Sequence, residues 1–215
     1  MKLGGKEWDI ESTNPCGEQP LPNFTSCNLG SINIEKFVDN NNKKFNWEKF
    51  KSQVFRSIYY LDLVIDACSY PLEKIGERTK SIRPVGLGIM GLADASILQN
   101  IIYGSDEFKD FCKKLSGEIA RSALKATIQI VTDNKKTPFP EHELVKKLFS
   151  GSNKIPDSLE EFKLMLKYMR SEGKIPVTLL NTLDEFNELD EIKFVLENLF
   201  EGNLRNSRRL SIAPT

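Results

Sequence analysis

The sequence predicts a helix-rich α/β fold, and three observations carry that prediction. Two stretches, Trp47 to Cys68 and Phe108 to Ile130, repeat apolar residues at three- and four-residue steps, which puts each set on one helical face. A strand-like segment, Cys27 to Val38, precedes both. Between the two helices, Arg83-Pro84-Val85-Gly86-Leu87-Gly88-Ile89-Met90-Gly91-Leu92-Ala93-Asp94 spaces three glycines in a way that suits close backbone packing at a strand-to-helix passage.

Taken in order, Trp8-Asp9-Ile10-Glu11 has the short alternation of a strand leading into a loop. The loop runs from Asn14 through Pro15, Cys16, Gly17, Glu18, Gln19 and Pro20 to Leu21. Two prolines and a glycine in so few positions exclude a helix or a central strand, because proline removes backbone donors and glycine relaxes the chain. Cys27 to Val38 then reads as a strand running into a turn, with Asn40 to Lys44 as a polar connection.

Asn46 is a favourable cap for a helix from Trp47, whose face is Trp47, Phe50, Val54, Ile58, Leu61, Ile65 and Cys68 and whose end is set by Pro71. Ser105, Asp106 and Glu107 open the next helix with a cap and two acids at its positive end. That helix is expected to bury Phe108, Phe111, Cys112, Leu115, Ile119, Ala123, Ala126 and Ile130, and to end near Asn134. Cys68 and Cys112 therefore read as small buried hydrophobes.

Ser158-Leu159-Glu160-Glu161 is a capping box for a helix to about Met169. Ile175 to Leu180 reads as a short edge strand. Asp190 and Glu191 open a last helix with Ile192, Val195, Leu196 and Leu199 inward, and the acidic run Asp184 to Glu191 reads as a solvated face. Arg205, Arg208 and Arg209 gather before a terminal strand, Leu210 to Ala213. Such arginines either approach a phosphate with forked hydrogen bonds or stand on the surface.

At 215 residues, with 40% apolar content, the chain is long enough for a real core. It carries 30 basic and 30 acidic residues, so no overall field recruits nucleic acid or an anionic membrane. No apolar run of 18 or more residues occurs, and the first residues lack the apolar centre of a signal peptide, so a cytoplasmic protein with no membrane partner is expected. The four cysteines, at 16, 27, 68 and 112, form no C-x-x-C pair and are too sparse for a secreted disulfide framework; reduced thiols are expected. The single histidine, His142, lacks partners at ligand spacing, and no metal site is assigned. The glycine-rich block lacks the lysine of a phosphate-binding loop and reads as a structural wall near the site.

The chemistry concentrates in the loop. Asn14, Cys16 and Glu18 are spaced two apart, so an amide, a thiol and a carboxylate point the same way in an extended or tightly turned segment. The bland alternative is an irregular loop with a buried thiol. The whole string decides between them. Asn14-Pro15-Cys16-Gly17-Glu18-Gln19-Pro20-Leu21 with Cys27-Asn28-Leu29-Gly30-Ser31-Ile32-Asn33 resembles the active-site loop of the large, catalytic subunit of ribonucleotide reductase. The wording is most similar to the adenosylcobalamin-dependent class II branch. Arg83 to Asp94 resembles a second block of that family, and Leu204-Arg205-Asn206 with Leu210 to Thr215 resembles the segment leading to its substrate-phosphate loop. The stretch from about 143 to 200 carries no recognisable motif.

The resemblance implies a middle segment of the family's ten-stranded α/β barrel, with the active-site loop at 14–27, a helical scaffold at 46–200 and a truncated phosphate-loop strand at 204–215. It implies that Cys16 carries a thiyl radical, that Glu18 is the general base on the 3′-hydroxyl and that Asn14 holds the ribose hydroxyls. Cys27 becomes one of two thiols that supply electrons, and Ser26, Pro214 and Thr215 contact substrate. Adenosylcobalamin, bound mostly outside this segment, would supply the radical, with a metal-containing subunit as the alternative and a thioredoxin-type reductant restoring the thiols. The family's other reducing cysteine, its effector region and its first barrel strands would lie upstream. A split or interrupted reductase completed by another polypeptide, or a truncated reading frame, is therefore expected, in an oligomer that turns ribonucleotides into deoxyribonucleotides. The competing expectations are a non-catalytic remnant and a thiol redox or metal module built on Cys16 and Cys27.

Overall fold

Phe50, Val54, Ile58 and Ile65 fall on one face of helix α1 (Trp47–Ala67), and that face is the centre around which the first half of the chain packs. Asn46 caps the helix as its sequence position predicts, its side-chain oxygen accepting the Lys49 N–H. The computed structural model describes residues 9–11, 13–17, 19–133, 135–139, 146–147, 149, 154–173, 175 and 177–206. The expected strand at 8–11 falls partly outside that range, and its described residues are not strand. His142 and the terminal strand at 210–213 lie outside it altogether.

Strand β1 (Asn28–Asn33) ends in a short 3-10 turn, Ile34–Phe37. Helix α1 follows, then α2 (Glu73–Ile82), strand β2 (Val85–Met90), α3 (Leu92–Leu98) and the long α4 (Asp106–Thr132). β1 and β2 pair in parallel, with Asn28 opposite Val85 and Asn33 opposite Met90. Parallel pairing needs a long crossover, and α1 with α2 supplies it. The described residues thus contain a two-stranded parallel sheet within a helix-rich α/β fold.

The passage from β2 into α3 explains one glycine. Gly91 has φ +73°, and a Cβ there would stand 2.5 Å from Asn33 Oδ1, the oxygen that caps the turn after β1. Gly91→Ala is therefore expected to destabilise the fold by about 1–3 kcal/mol, from the positive φ and from displacing Asn33. Denaturant unfolding checks this; an unchanged midpoint would show that the two strand ends adapt freely.

Helix α4 is long enough, at 27 residues, to wall both halves of the molecule. Leu115, Ala123, Ala126 and Ile130 join the core built on β1, α1 and β2. Leu124 and Ile128 face a second core made by α5 (Leu159–Glu172), α6 (Val177–Asp184) and α7 (Leu189–Glu201). Ser158 caps α5 by accepting the Glu161 N–H, and the Glu161 carboxylate reaches back to the Asp157 N–H at 2.9 Å, which is the predicted capping box displaced by one residue. In α7, Ile192, Val195, Leu196 and Leu199 all point inward as expected.

Three expectations are corrected. Ile175 to Leu180 is not an edge strand: residues from Val177 onward are helical, because Leu180 and Leu183 are three apart and both fill the second core. Cys68 is exposed rather than buried, because α1 ends at Ala67 and Cys68, extended at φ −70° and ψ 137°, has left the helical face. Arg205 is buried rather than on the surface. Cys112 is half-buried, and burial pushes its thiol pKa up. The run Asp184 to Glu191 is mostly exposed, as read, although Arg170 pairs with Asp184 at 3.0 Å and Lys125 with Glu191. Among the described residues no helix is long and apolar enough to cross a membrane.

Candidate active site

Proline at the second position and glycine at the fourth favour a tight turn, and the Asn14 carbonyl accepts the Gly17 N–H at 3.0 Å to close one. Gly17 has φ +77°, a conformation that suits a residue without a Cβ. Asn14 also binds the loop through its side chain, whose Oδ1 accepts the Gln19 N–H at 2.9 Å. One residue thus ties both ends of the segment that carries Cys16. The thiol stands at the crest of the turn and is exposed, while Asn14 is half-buried beneath it. Glu18 lies outside the described residues, as do Pro214 and Thr215.

Ser26 and Cys27 stand at the head of β1. The Ser26 N–H donates to Thr79 Oγ1 at 2.9 Å, and Thr79 is buried in α2, so the start of the strand is fixed against the crossover. Cys27 is half-buried, and its thiol approaches the Asn28 carbonyl at 3.7 Å. All four cysteines are free thiols.

Gln19 is a residue that the motif string contained and the chemical reading passed over. It is 6% exposed, and among the described residues neither its side-chain oxygen nor its side-chain nitrogen has a hydrogen-bond partner. Leaving a buried donor or acceptor unpaired costs about 1–3 kcal/mol. No spacing rule would have revealed this, because it depends on what the loop packs against.

Next to β2 lies a buried polar network. Asp62 is 1% exposed, on the apolar face of α1, and receives Arg83 Nε at 2.8 Å, Arg205 Nε at 3.0 Å and Asn206 Nδ2 at 2.8 Å. Arg83 also grips Asp66 with a two-pronged contact, Nη1 at 2.8 Å and Nη2 at 3.0 Å. That hydrogen bonding holds the Asp66 carboxyl below the usual carboxylate range. Arg205 Nη1 donates to the Thr137 carbonyl at 2.7 Å, and Thr127 Oγ1 accepts the backbone N–H groups of Arg205 and Asn206. The sequence did carry a signal: Asp62 is an acid on the stripe between Ile58 and Ile65, and a buried acid requires a cation. Neither of the two readings of Arg205, phosphate contact or surface charge, describes what the fold does with it: its guanidinium is bound by Asp62, Asp66 and Thr137. What the network does is fix Arg205 and Asn206, immediately before residues 207–215.

A groove of about 750 Å³ lies along α5, lined by residues that include Lys154, Leu164, Met165 and Tyr168; neither Cys16 nor Cys27 borders it. Among the described residues no group of three or more histidine, cysteine or carboxylate side chains is placed to hold a metal ion.

An exposed cysteine on a turn tied by asparagine, followed along the chain by a parallel strand pair, is the arrangement against which the comparisons with known proteins are set. A family model described as the ribonucleotide reductase barrel domain matches residues 4–215. The chain belongs to that family. It is 44% identical over 119 residues to the vitamin B12-dependent ribonucleoside-diphosphate reductase of Thermoplasma acidophilum, a match covering 55% of this chain and 15% of that protein. The Mycobacterium tuberculosis protein of the same name is 35% identical over 129 residues, covering 60% of this chain and 18% of that protein. The ribonucleoside-diphosphate reductase subunit alpha of Chlamydia pneumoniae is 31% identical over 194 residues, covering 88% of this chain and 16% of that protein. The chain thus spans less than a fifth of the length of these relatives.

Proposed function

We propose that the chain supplies the central part of a site that reduces ribonucleotides to deoxyribonucleotides, within an assembly that includes further reductase polypeptide. The observation that carries the reading is the Cys16 thiol, held exposed on a turn whose two ends are both bound by Asn14. Sulfur suits the role because it can take a hydrogen atom from a sugar carbon and later return it. Cys16 removes the 3′ hydrogen of the ribose and restores it after the 2′ position is reduced. Glu18 accepts the 3′-hydroxyl proton, and Asn14, which both donates and accepts, orients the ribose hydroxyls. Cys27 and a second thiol outside this chain close into a disulfide as the 2′-hydroxyl leaves as water, so the two electrons gained by the sugar come from the two sulfurs. Ser26, Pro214 and Thr215 contact the substrate. A thioredoxin-type dithiol reopens the disulfide, and the cytoplasm keeps the thiols reduced between turnovers.

Adenosylcobalamin fits the exposed position of Cys16, whose thiol is reachable from outside the turn and carries a hydrogen atom that a radical can take. When bound, the cofactor supplies the initiating radical. The names of the Thermoplasma and Mycobacterium relatives favour it, and a metal-containing radical subunit is the second reading.

Combining the chain with the flanking reductase polypeptide and assaying deoxyribonucleotide formation tests the proposal. Turnover is expected only in the complete mixture with a dithiol and one of the two radical sources. Reduction by the chain alone would show that it needs no partner, and a folded mixture inert with either source would overturn the functional reading.

A further inference from the structure

We infer that Gln19 is a further ligand-contacting residue of this site, taking a hydrogen-bonding group of the nucleoside half of the substrate. The inference rests on the reductase reading and adds to it a contact made by neither the thiol nor its two assigned neighbours. Gln19 is more than nine-tenths buried, yet both ends of its amide lack a partner among the described residues. Buried polar groups are nearly always paired, so two unpaired atoms on one side chain mark a contact still to be made.

Three features say what completes it. Gln19 is three residues from Cys16, and its backbone N–H is bound to Asn14 Oδ1, so the backbone that carries its side chain is tied to the turn that carries the thiol. That restraint is present before any ligand arrives, which lowers the ordering cost of binding. A primary amide is also uncharged and offers two donors and two acceptor lone pairs. It suits a ribose hydroxyl or the edge of a base, groups that both give and accept hydrogen bonds. A phosphate would call for cationic or multiple N–H donors.

Gln19→Leu removes the polar atoms at nearly constant size. Two measurements follow: the thermal midpoint of the chain alone, and the affinity of the complete reductase assembly for ADP, GDP, CDP and UDP and their 2′-deoxy counterparts. The expected result is a midpoint held or raised, since the unpaired atoms are gone, together with ribonucleotide affinity weakened about tenfold, the worth of one hydrogen bond. A loss that is equal for all four bases assigns the contact to the sugar, to its 2′-hydroxyl where the 2′-deoxy forms are unaffected and to its 3′-hydroxyl where they weaken alike; a loss that follows the base assigns it to the base edge. Unchanged affinity overturns the inference, and so does a lowered midpoint of the chain alone, which would mean that the amide is paired within the polypeptide. If the wild-type assembly binds no ribonucleotide, the reductase reading itself fails, and the Gln19 contact with it.

Discussion

Asp62→Ala is expected to cost about 3–5 kcal/mol of folding stability, the penalty for removing one partner from a buried ion pair. The size follows from the number of groups stranded. Arg83 Nε, Arg205 Nε and Asn206 Nδ2 all converge on the two Asp62 oxygens, and the side chains of both arginines are less than one-tenth exposed. The desolvation cost of the guanidinium groups remains after the carboxylate is gone, with Asp66 as the carboxylate that both arginines still reach. Asp62→Asn keeps the shape but turns one acceptor into a donor facing a donor, so most of the loss should persist. Denaturant unfolding monitored by circular dichroism measures it; a loss below about 1 kcal/mol, the range of an ordinary surface pair, would mean that the acid is not the hub.

Asp66 adds a pH dependence to the same network. Its pKa is lowered, chiefly by the hydrogen bond from Arg83 and against the opposing effect of burial. A depressed carboxyl contributes stability that is present above its unfolded pKa and disappears as pH falls through the folded one. Asp66→Asn is therefore expected to flatten the stability profile on the acid side, with little change in its shape near neutrality.

The network also shows where the sequence was legible and where it was not. Local signals were reliable: the Asn46 and Ser105 caps, the capping box at Ser158 and the inward set of the last helix all depend on residues within one or two turns of each other. The partners of Asp62 lie 21, 143 and 144 residues away, and no period or propensity reaches that far. Helix α2 was missed because Gly76 interrupts an already short pattern. The strand reading of Ile175 to Leu180 failed because a short apolar run has no period of its own, and the second core selected a helix. Cys68 was misplaced by a single residue at a helix end, where burial changes abruptly. In the loop, the string of motif residues identified the family, yet the condition of Gln19 became visible only when its surroundings were known.

Cys16→Ser is expected to abolish deoxyribonucleotide formation by the complete assembly while leaving fold and nucleotide affinity intact. The substitution exchanges sulfur for oxygen at an exposed position on the crest of the turn, so no buried contact is lost and stability should stay within about 0.5 kcal/mol. The turn itself is held by the Asn14 carbonyl and side chain, neither of which the change touches. A serine hydroxyl fills the space but does not yield its hydrogen atom as a thiol does, so the chain of hydrogen-atom transfers cannot begin. Asn14→Ala provides the contrast: it removes the acceptor for the Gln19 N–H, loosens the loop by about 1 kcal/mol and should lower turnover through misplacement of an otherwise intact thiol. A structural remnant would respond in the opposite order, indifferent to serine at position 16 and sensitive only to the loss of Asn14. Measurable turnover by the Cys16→Ser assembly, above that of a mixture lacking the chain, would remove the thiol from the reaction.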